Sequence, residues 1–145
     1  MAFQFRFDRL LKINESEKKQ LEQIYSEWYD RLQKQGEKLV DLMERKTRLE
    51  ADLERKKGDK ITVSRIRELN RVLAAVGHQI AEEKLKYEQL RERLEAYRQA
   101  LIEKSVEVKK FEKLKEWHWE RYRAMQKRAE LRFMDETAVQ QHLKH

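Results

Sequence analysis

Proline and cysteine are absent from this chain of 145 residues, and glycine occurs three times. Without proline, nothing in the sequence obliges a helix to stop or kink. Gly36, Gly58 and Gly77 stand apart from one another, so no glycine-rich phosphate loop can form. Lack of cysteine removes disulfides and thiolate metal sites, which fits a reducing cytoplasm. No apolar run approaches the roughly 18 residues that a membrane span needs, and the N-terminus has no secretory apolar core. A soluble, cytoplasmic protein is expected. The groupings that catalysis requires are also missing. Ser26, Ser64 and Ser105 have no organised base nearby, and no pair among His78, His118, His142 and His145 has a ligand context. Glu-x-x-His pairs of the kind that build metal sites in helical bundles do not occur. No enzyme activity, catalytic residue, cofactor or metal is expected.

Charge and helical periodicity fill the chain instead. Charged residues make up 42% and hydrophobic residues 39%, proportions that suit a narrow seam better than a thick core. The net charge is +7, but 27 acidic residues alternate with 34 basic ones, as on the solvated flanks of a coiled coil. Two heptad runs with steps of four and three carry the seam. The first is Phe7, Leu11, Asn14, Lys18, Leu21, Tyr25, Trp28, Leu32, Gln35, Leu39, Leu42, Lys46, Leu49, Leu53. The second is Ile66, Leu69, Leu73, Val76, Ile80, Glu83, Tyr87, Leu90, Leu94, Tyr97, Leu101, Lys104, Val108, Phe111. Such sustained regularity predicts an all-α fold in which two long helices form an antiparallel coiled-coil hairpin, the second longer than the first. Disordered chains of equal polarity lack this pattern.

The boundaries follow from turn chemistry. Helix 1 is expected over about 8–57, a turn over 58–61 and helix 2 over about 62–138, all in one domain. Gly58 suits a left-handed C-terminal cap, Lys56 and Lys57 suit the negative end of the dipole, and Thr62 or Ser64 can cap the second helix. A turn near residue 60 selects the register that pairs Leu53 with Leu69, Trp28 with Leu94, Tyr25 with Tyr97 and Leu11 with Phe111. Lys18 then faces Lys104, unless both ammonium groups swing outward. Gln35 and Glu83 fall near mid-arm, either as register markers or as tolerated polar defects.

In this register Phe7 reaches Lys115, and the helix beyond about residue 118 has nothing opposite it. That overhang, roughly 30 Å of helix at about 1.5 Å per residue, holds Trp117, Trp119, Tyr122, Met125, Leu131, Phe133 and Met134. Two arrangements are open: the aromatic groups await a partner, or Phe3 and Phe5 fold back over them.

Three ordered stretches together carry a resemblance. They are Phe3-Gln4-Phe5-Arg6-Phe7-Asp8-Arg9-Leu10-Leu11, then Gly58-Asp59-Lys60-Ile61-Thr62-Val63, then Glu107-Val108-Lys109-Lys110-Phe111-Glu112-Lys113-Leu114 with Met134-Asp135-Glu136 further on. In this set and its spacing the chain resembles the FliJ family of flagellar export proteins over essentially its whole length. Where members often carry an aromatic-Gln-Gln-Phe run, this chain has Leu69-Asn70-Arg71-Val72. The resemblance implies a non-enzymatic component of the bacterial flagellar type III export apparatus, serving flagellum biogenesis and motility. It would bind and promote the hexameric export ATPase (FliI), contact the cytoplasmic domain of the export gate (FlhA), and bind export chaperones in some cases. It implies a cytoplasmic location, held peripherally at the cell membrane through those partners.

Combined with the heptad geometry, that role makes Lys109, Phe111, Lys113, Leu114, Trp117, Trp119, Arg121 and Tyr122 candidates for binding the ATPase. Leu42, Met43, Val72 and Val76, toward the turn, are candidates for the gate. The alternatives are a holding chaperone or general coiled-coil adaptor, and a basic coiled coil binding nucleic acid. Lysines interleaved with glutamates form no long basic stripe, so nucleic acid is not expected as a partner.

Overall fold

A computed structural model describes residues 2–58 and 61–144. Its two helices are α1, Asp8–Lys57, and α2, Val63–Leu143. They pack against each other as an all-α hairpin, and α2 continues past residue 138. Of the proposed turn, Asp59 and Lys60 lie outside the described residues.

Local chemistry accounts for the helix ends. Asp8 opens α1 and places its carboxylate at the positive end of the dipole, while Arg55, Lys56 and Lys57 close it at the negative end. Thr62, rather than Ser64, caps α2, because its Oγ1 accepts the Arg65 backbone N–H at 3.3 Å. The expectation for Gly58 is not met. Its N–H bonds the Arg55 carbonyl at 3.2 Å, and no described glycine has positive φ. The last turn of α1 tightens to a three-residue step, which satisfies that carbonyl without a left-handed residue. Downstream, no glycine follows Gly77 and no proline occurs at all, so α2 has no intrinsic reason to break.

The chain divides into two compact units, Met1–Gln20 with Leu101–His145, and Leu21–Ala100. Within Leu21–Ala100 the heptad leucines meet as the seam: Leu39, Leu53, Leu69, Val76 and Leu94 are buried. No described side chain is fully sealed from solvent, as expected where only two helices meet. Trp28 shows how a large ring fits so thin a seam. Its indole lies 5.8 Å from the Tyr97 ring, and the guanidinium groups of Arg31 and Arg93 sit 4.6 and 4.7 Å from its centre. The two cations lie over the ring and cover apolar surface that a third helix would otherwise bury.

Glu83 sits in the same seam with a side chain only 6% exposed. Gln35 donates its side-chain amide both to the Glu83 carboxylate and, at 3.0 Å, to its backbone carbonyl. Lys38 on α1 and Lys86 on α2 reach the same carboxylate at 3.2 and 3.4 Å. The Gln35 bond first, and then Lys38, hold the Glu83 carboxyl below its ordinary value, against the opposing cost of burial. Gln35 and Glu83 are thus a satisfied layer that ties one helix to one place on the other. A slip by one heptad would leave a buried carboxylate without its partners.

A group whose folded pKa is depressed stabilises the fold fully above its unfolded value and loses that contribution as pH falls through the folded one. Glu83→Gln should therefore lower the melting temperature at neutral pH. The gap between wild type and variant should shrink once pH drops below the ordinary carboxyl value of 4.5. Thermal melts at a series of pH values check this, and a gap independent of pH would contradict it.

Candidate functional site

The unit formed by Met1–Gln20 and Leu101–His145 holds the only cluster of buried apolar side chains with aromatic members among the described residues. Leu11 and Val108 bring the two helices together, and Phe5 completes the cluster from outside α1. Phe3, Phe7, Phe111 and Leu114 pack around these three. One layer further in, Lys104 does not confront Lys18. It donates to the Asn14 side-chain oxygen at 3.1 Å and pairs with Glu17 at 2.6 Å, and Glu107 lies 3.6 Å away. A lysine stem is long enough to carry its charge sideways to an acid on the opposite helix. The bond to Glu17 is the main cause that raises the Lys104 pKa above its ordinary value, against burial. At the outer end Lys115 bonds Asp8 at 3.3 Å, and Asp8, lowered first by Lys12 and then by Lys115, also pairs with Lys12 at 3.1 Å.

Beyond Asp8 the first arm stops being helical but does not leave α2. Residues 2–7 form an irregular strap whose burial alternates: Phe3, Phe5 and Phe7 turn inward, and Gln4 and Arg6 outward. Residues 2–5 have no regular structure, whereas Arg6 and Phe7 form a turn closed by the Asp8 N–H on the Phe5 carbonyl at 3.1 Å, which brings Phe7 back inward. The Phe3 ring meets Trp119 edge-on at 5.1 Å and Tyr122 at 5.5 Å. Phe5 meets the His118 ring at 5.4 Å and Phe7 at 5.9 Å, and Phe7 lies 6.5 Å from Phe111. The expectation that nothing covers α2 beyond about residue 118 is therefore corrected, since the strap reaches Tyr122. Of the two arrangements left open by the sequence, folding back of Phe3 and Phe5 holds for this stretch. Edge-to-face ring pairs of this kind add to the burial of apolar area.

Cover by the strap is incomplete. Trp117 is 64% exposed, Trp119 is still 43% exposed, and Met125, Leu131, Phe133 and Met134 lie open along the rest of α2. Of the residues proposed to bind the ATPase, Lys109, Lys113, Trp117, Trp119 and Arg121 are exposed, while Phe111, Leu114 and Tyr122 are half-buried beneath or beside the strap. Lys109, Lys113 and Trp117 follow one another at helical spacing and share a face. Leu114, Trp117, His118, Glu120, Arg121 and Ala124 line a shallow groove on α2. His118 and Met125 belong to this surface but were not among the candidate contacts. Continuing the heptad steps past Phe111 to positions 115, 118, 122 and 125 was the signal that could have found both.

In the Leu21–Ala100 unit, Met43 is exposed, Leu42 and Val72 are half-buried, and Val76 is 3% exposed. Val76 is thus a seam residue in this fold, because its heptad position turns it inward. Val40 and Met43, with Glu44, Thr47 and Arg48, border an open groove on α1. Among the described residues no three His, Asp or Glu side chains gather as a metal site would require. No helix of the described residues is long and apolar enough to cross a membrane.

The FliJ family model, described as "Flagellar FliJ protein", matches residues 3–145. This chain belongs to the FliJ family. It is similar to the flagellar FliJ protein of Bacillus subtilis (strain 168), with 30% identity over 141 residues, spanning 97% of this chain and 96% of the relative. No solved structure matches it significantly. A FliJ-family chain is a component of the flagellar export apparatus, and the resemblance noted in the sequence is thereby established.

Truncating the strap should have graded effects. Phe5→Ala opens a cavity at the centre of the cluster and should cost about 3–4 kcal/mol. Phe3→Ala, at the rim, should cost less than about 1.5 kcal/mol. Denaturant unfolding of both variants measures the difference, and equal losses would contradict the inward packing of Phe5.

Proposed function

We propose that this FliJ-family chain is a coiled-coil stalk that binds the hexameric export ATPase through the unit containing the strap and contacts the export gate through the unit near the turn. The observation that carries the first part is the exposed face of α2 with Lys109, Lys113, Trp117 and Arg121. A large indole flanked by mobile cations is costly to leave in water and is typical of interface anchors. The lysines and Arg121 suit acidic loops on the ring's inner wall. Half-buried Phe111, Leu114 and Tyr122 support that face from beneath. In this reading the protein does no chemistry; its contribution is to favour ATPase subunits in an assembled arrangement.

For the gate, Met43 and Val72 are the usable contacts, with Leu42 at their edge. Val76, buried in the seam, would act only by holding the surface in place. Export chaperones would share one of these surfaces. The protein would stay cytoplasmic and reach the membrane face only through its partners.

Stimulation of ATP hydrolysis by the cognate export ATPase tests the assignment. Trp117→Ala should weaken binding by about 2 kcal/mol, roughly thirtyfold, and Lys109→Glu with Lys113→Glu should remove most of the stimulation. All these positions are exposed, so helicity should not change. Full stimulation by both variants would remove this surface from consideration. On the gate side, Met43→Glu with Val72→Glu should abolish a pulldown by the gate's cytoplasmic domain while sparing ATPase stimulation. Retained capture would discard that patch.

A further inference from the structure

We infer that the face of the Leu21–Ala100 unit around Trp28 is a docking site for an acidic protein segment, whose carboxylates are gripped by Arg31 and Arg93. The guanidinium carbons of these two residues lie 4.6 and 4.7 Å from the centre of the same indole ring, and hence at most about 9.3 Å from each other. Among the described residues neither has an ion-pair partner, although Arg55, Arg65 and Arg98 are each paired with an acid three residues away. The sequence explains part of this difference. No acid stands three or four residues from Arg93 on either side, and Arg31, with Glu27 one turn before it, turns to the ring instead. Attraction to an aromatic ring holds a guanidinium in place but supplies no oxygen for its N–H donors. Both arginines are thus positioned by one ring and keep donors free for a carboxylate.

The surroundings add charge of the same sign. Lys38 and Lys86 both reach Glu83, and their side chains are still 54% and 61% exposed. Four cations therefore share one carboxylate, and that carboxylate is already held in the seam. Arg31, Lys86 and Arg93 border one groove with Trp28, Leu90 and Gln89, so apolar surface lies between the charges. An occupant needs carboxylates at its edges and apolar atoms between them. The basic stretch is also short, since Arg31 to Lys38 spans about 10 Å of helix. Exposed Glu27, Asp41 and Glu82 stand one turn from Arg31, Lys38 and Lys86. The continuous phosphates of a nucleic acid would run onto these acids. Two carboxylates on alternate residues of an extended segment, about 6.6 Å apart, fit between them. The site shares no residue with the surfaces proposed for the ATPase and the gate.

The test uses the full chain and the peptide acetyl-Glu-Asp-Leu-Glu-Asp-Leu-amide, read by the indole N–H resonance of Trp28. The peptide should shift that resonance saturably, with roughly millimolar affinity at low salt, and should bind at least about threefold more weakly at roughly 300 mM salt. The neutral peptide acetyl-Gln-Asn-Leu-Gln-Asn-Leu-amide should not saturate. Arg31→Gln with Arg93→Gln should weaken binding of the acidic peptide at least about tenfold. If that double variant loses its helicity, Arg31→Lys with Arg93→Lys replaces it. This pair keeps the charge, loses the planar fork and should still weaken binding at least about threefold. Absence of a saturable shift overturns the inference, and so does equal affinity for the two peptides or for wild type and a helical variant. Tighter binding of octathymidylate than of the acidic peptide overturns it as well, in favour of nucleic acid. Neither the ATPase nor the gate enters these measurements, so failure here is separable from failure of the proposed function.

Discussion

Two helices cannot enclose a side chain. Each seam residue has one neighbouring helix and two open flanks, and the whole molecule is arranged around that shortage of cover. The consequence is visible at every large or polar seam position. Trp28 has two arginines lying over its ring. Glu83 gathers Gln35, Lys38 and Lys86 from both helices. Lys104 leans across to Glu17 and Asn14. At the outer end, where α1 has finished, the shortage is met by an irregular segment of phenylalanines. In a coiled coil the flanking charges usually add little individually. Here several of them are the second wall of the seam, which explains how a chain 42% charged can hold together.

Most of the fold was legible because heptad spacing is a direct imprint of helix geometry. Phe7 near Phe111, Gln35 bonded to Glu83 and Trp28 beside Tyr97 all join members of the two heptad runs, although they are not the partners that the turn-based register paired. Lys18 opposite Lys104 carried the proviso that the ammonium groups swing outward, and Lys104 does turn aside, to Glu17 and Asn14. The misreadings are local and physical. Gly58 was given a left-handed cap by composition, but a tightened final turn satisfies the same carbonyl. The surface under the strap was only half legible. Heptad logic has no means of describing Phe3 and Phe5, which follow a period of two, and so α2 looked barer than it is. Val76 shows the opposite case: its place in the heptad run already marked it as seam, where it is 3% exposed, and this outweighs its nomination as a surface contact.

Family membership and geometry bear on function in different ways. Belonging to the FliJ family ties the chain to flagellar export, whereas the aromatic and basic features of α2 say where contact chemistry is concentrated. The two agree in one respect. The richest exposed apolar and basic surface lies where one helix outlasts its companion. Tryptophan, arginine and lysine there form a broad and adaptable face, while the mid-arm layers of Glu83 and Lys104 hold the helices in one alignment.

The strap also imposes a rule of phase on its own sequence. Phe3 and Phe5 are separated by the outward-facing Gln4, so adding or deleting a single residue between them would turn one of the two rings into water. A change of two residues would keep the same face inward and merely slide the anchors along α2. Between Phe3 and Phe5, length is therefore tolerated only in even steps, although the segment has no regular secondary structure of its own.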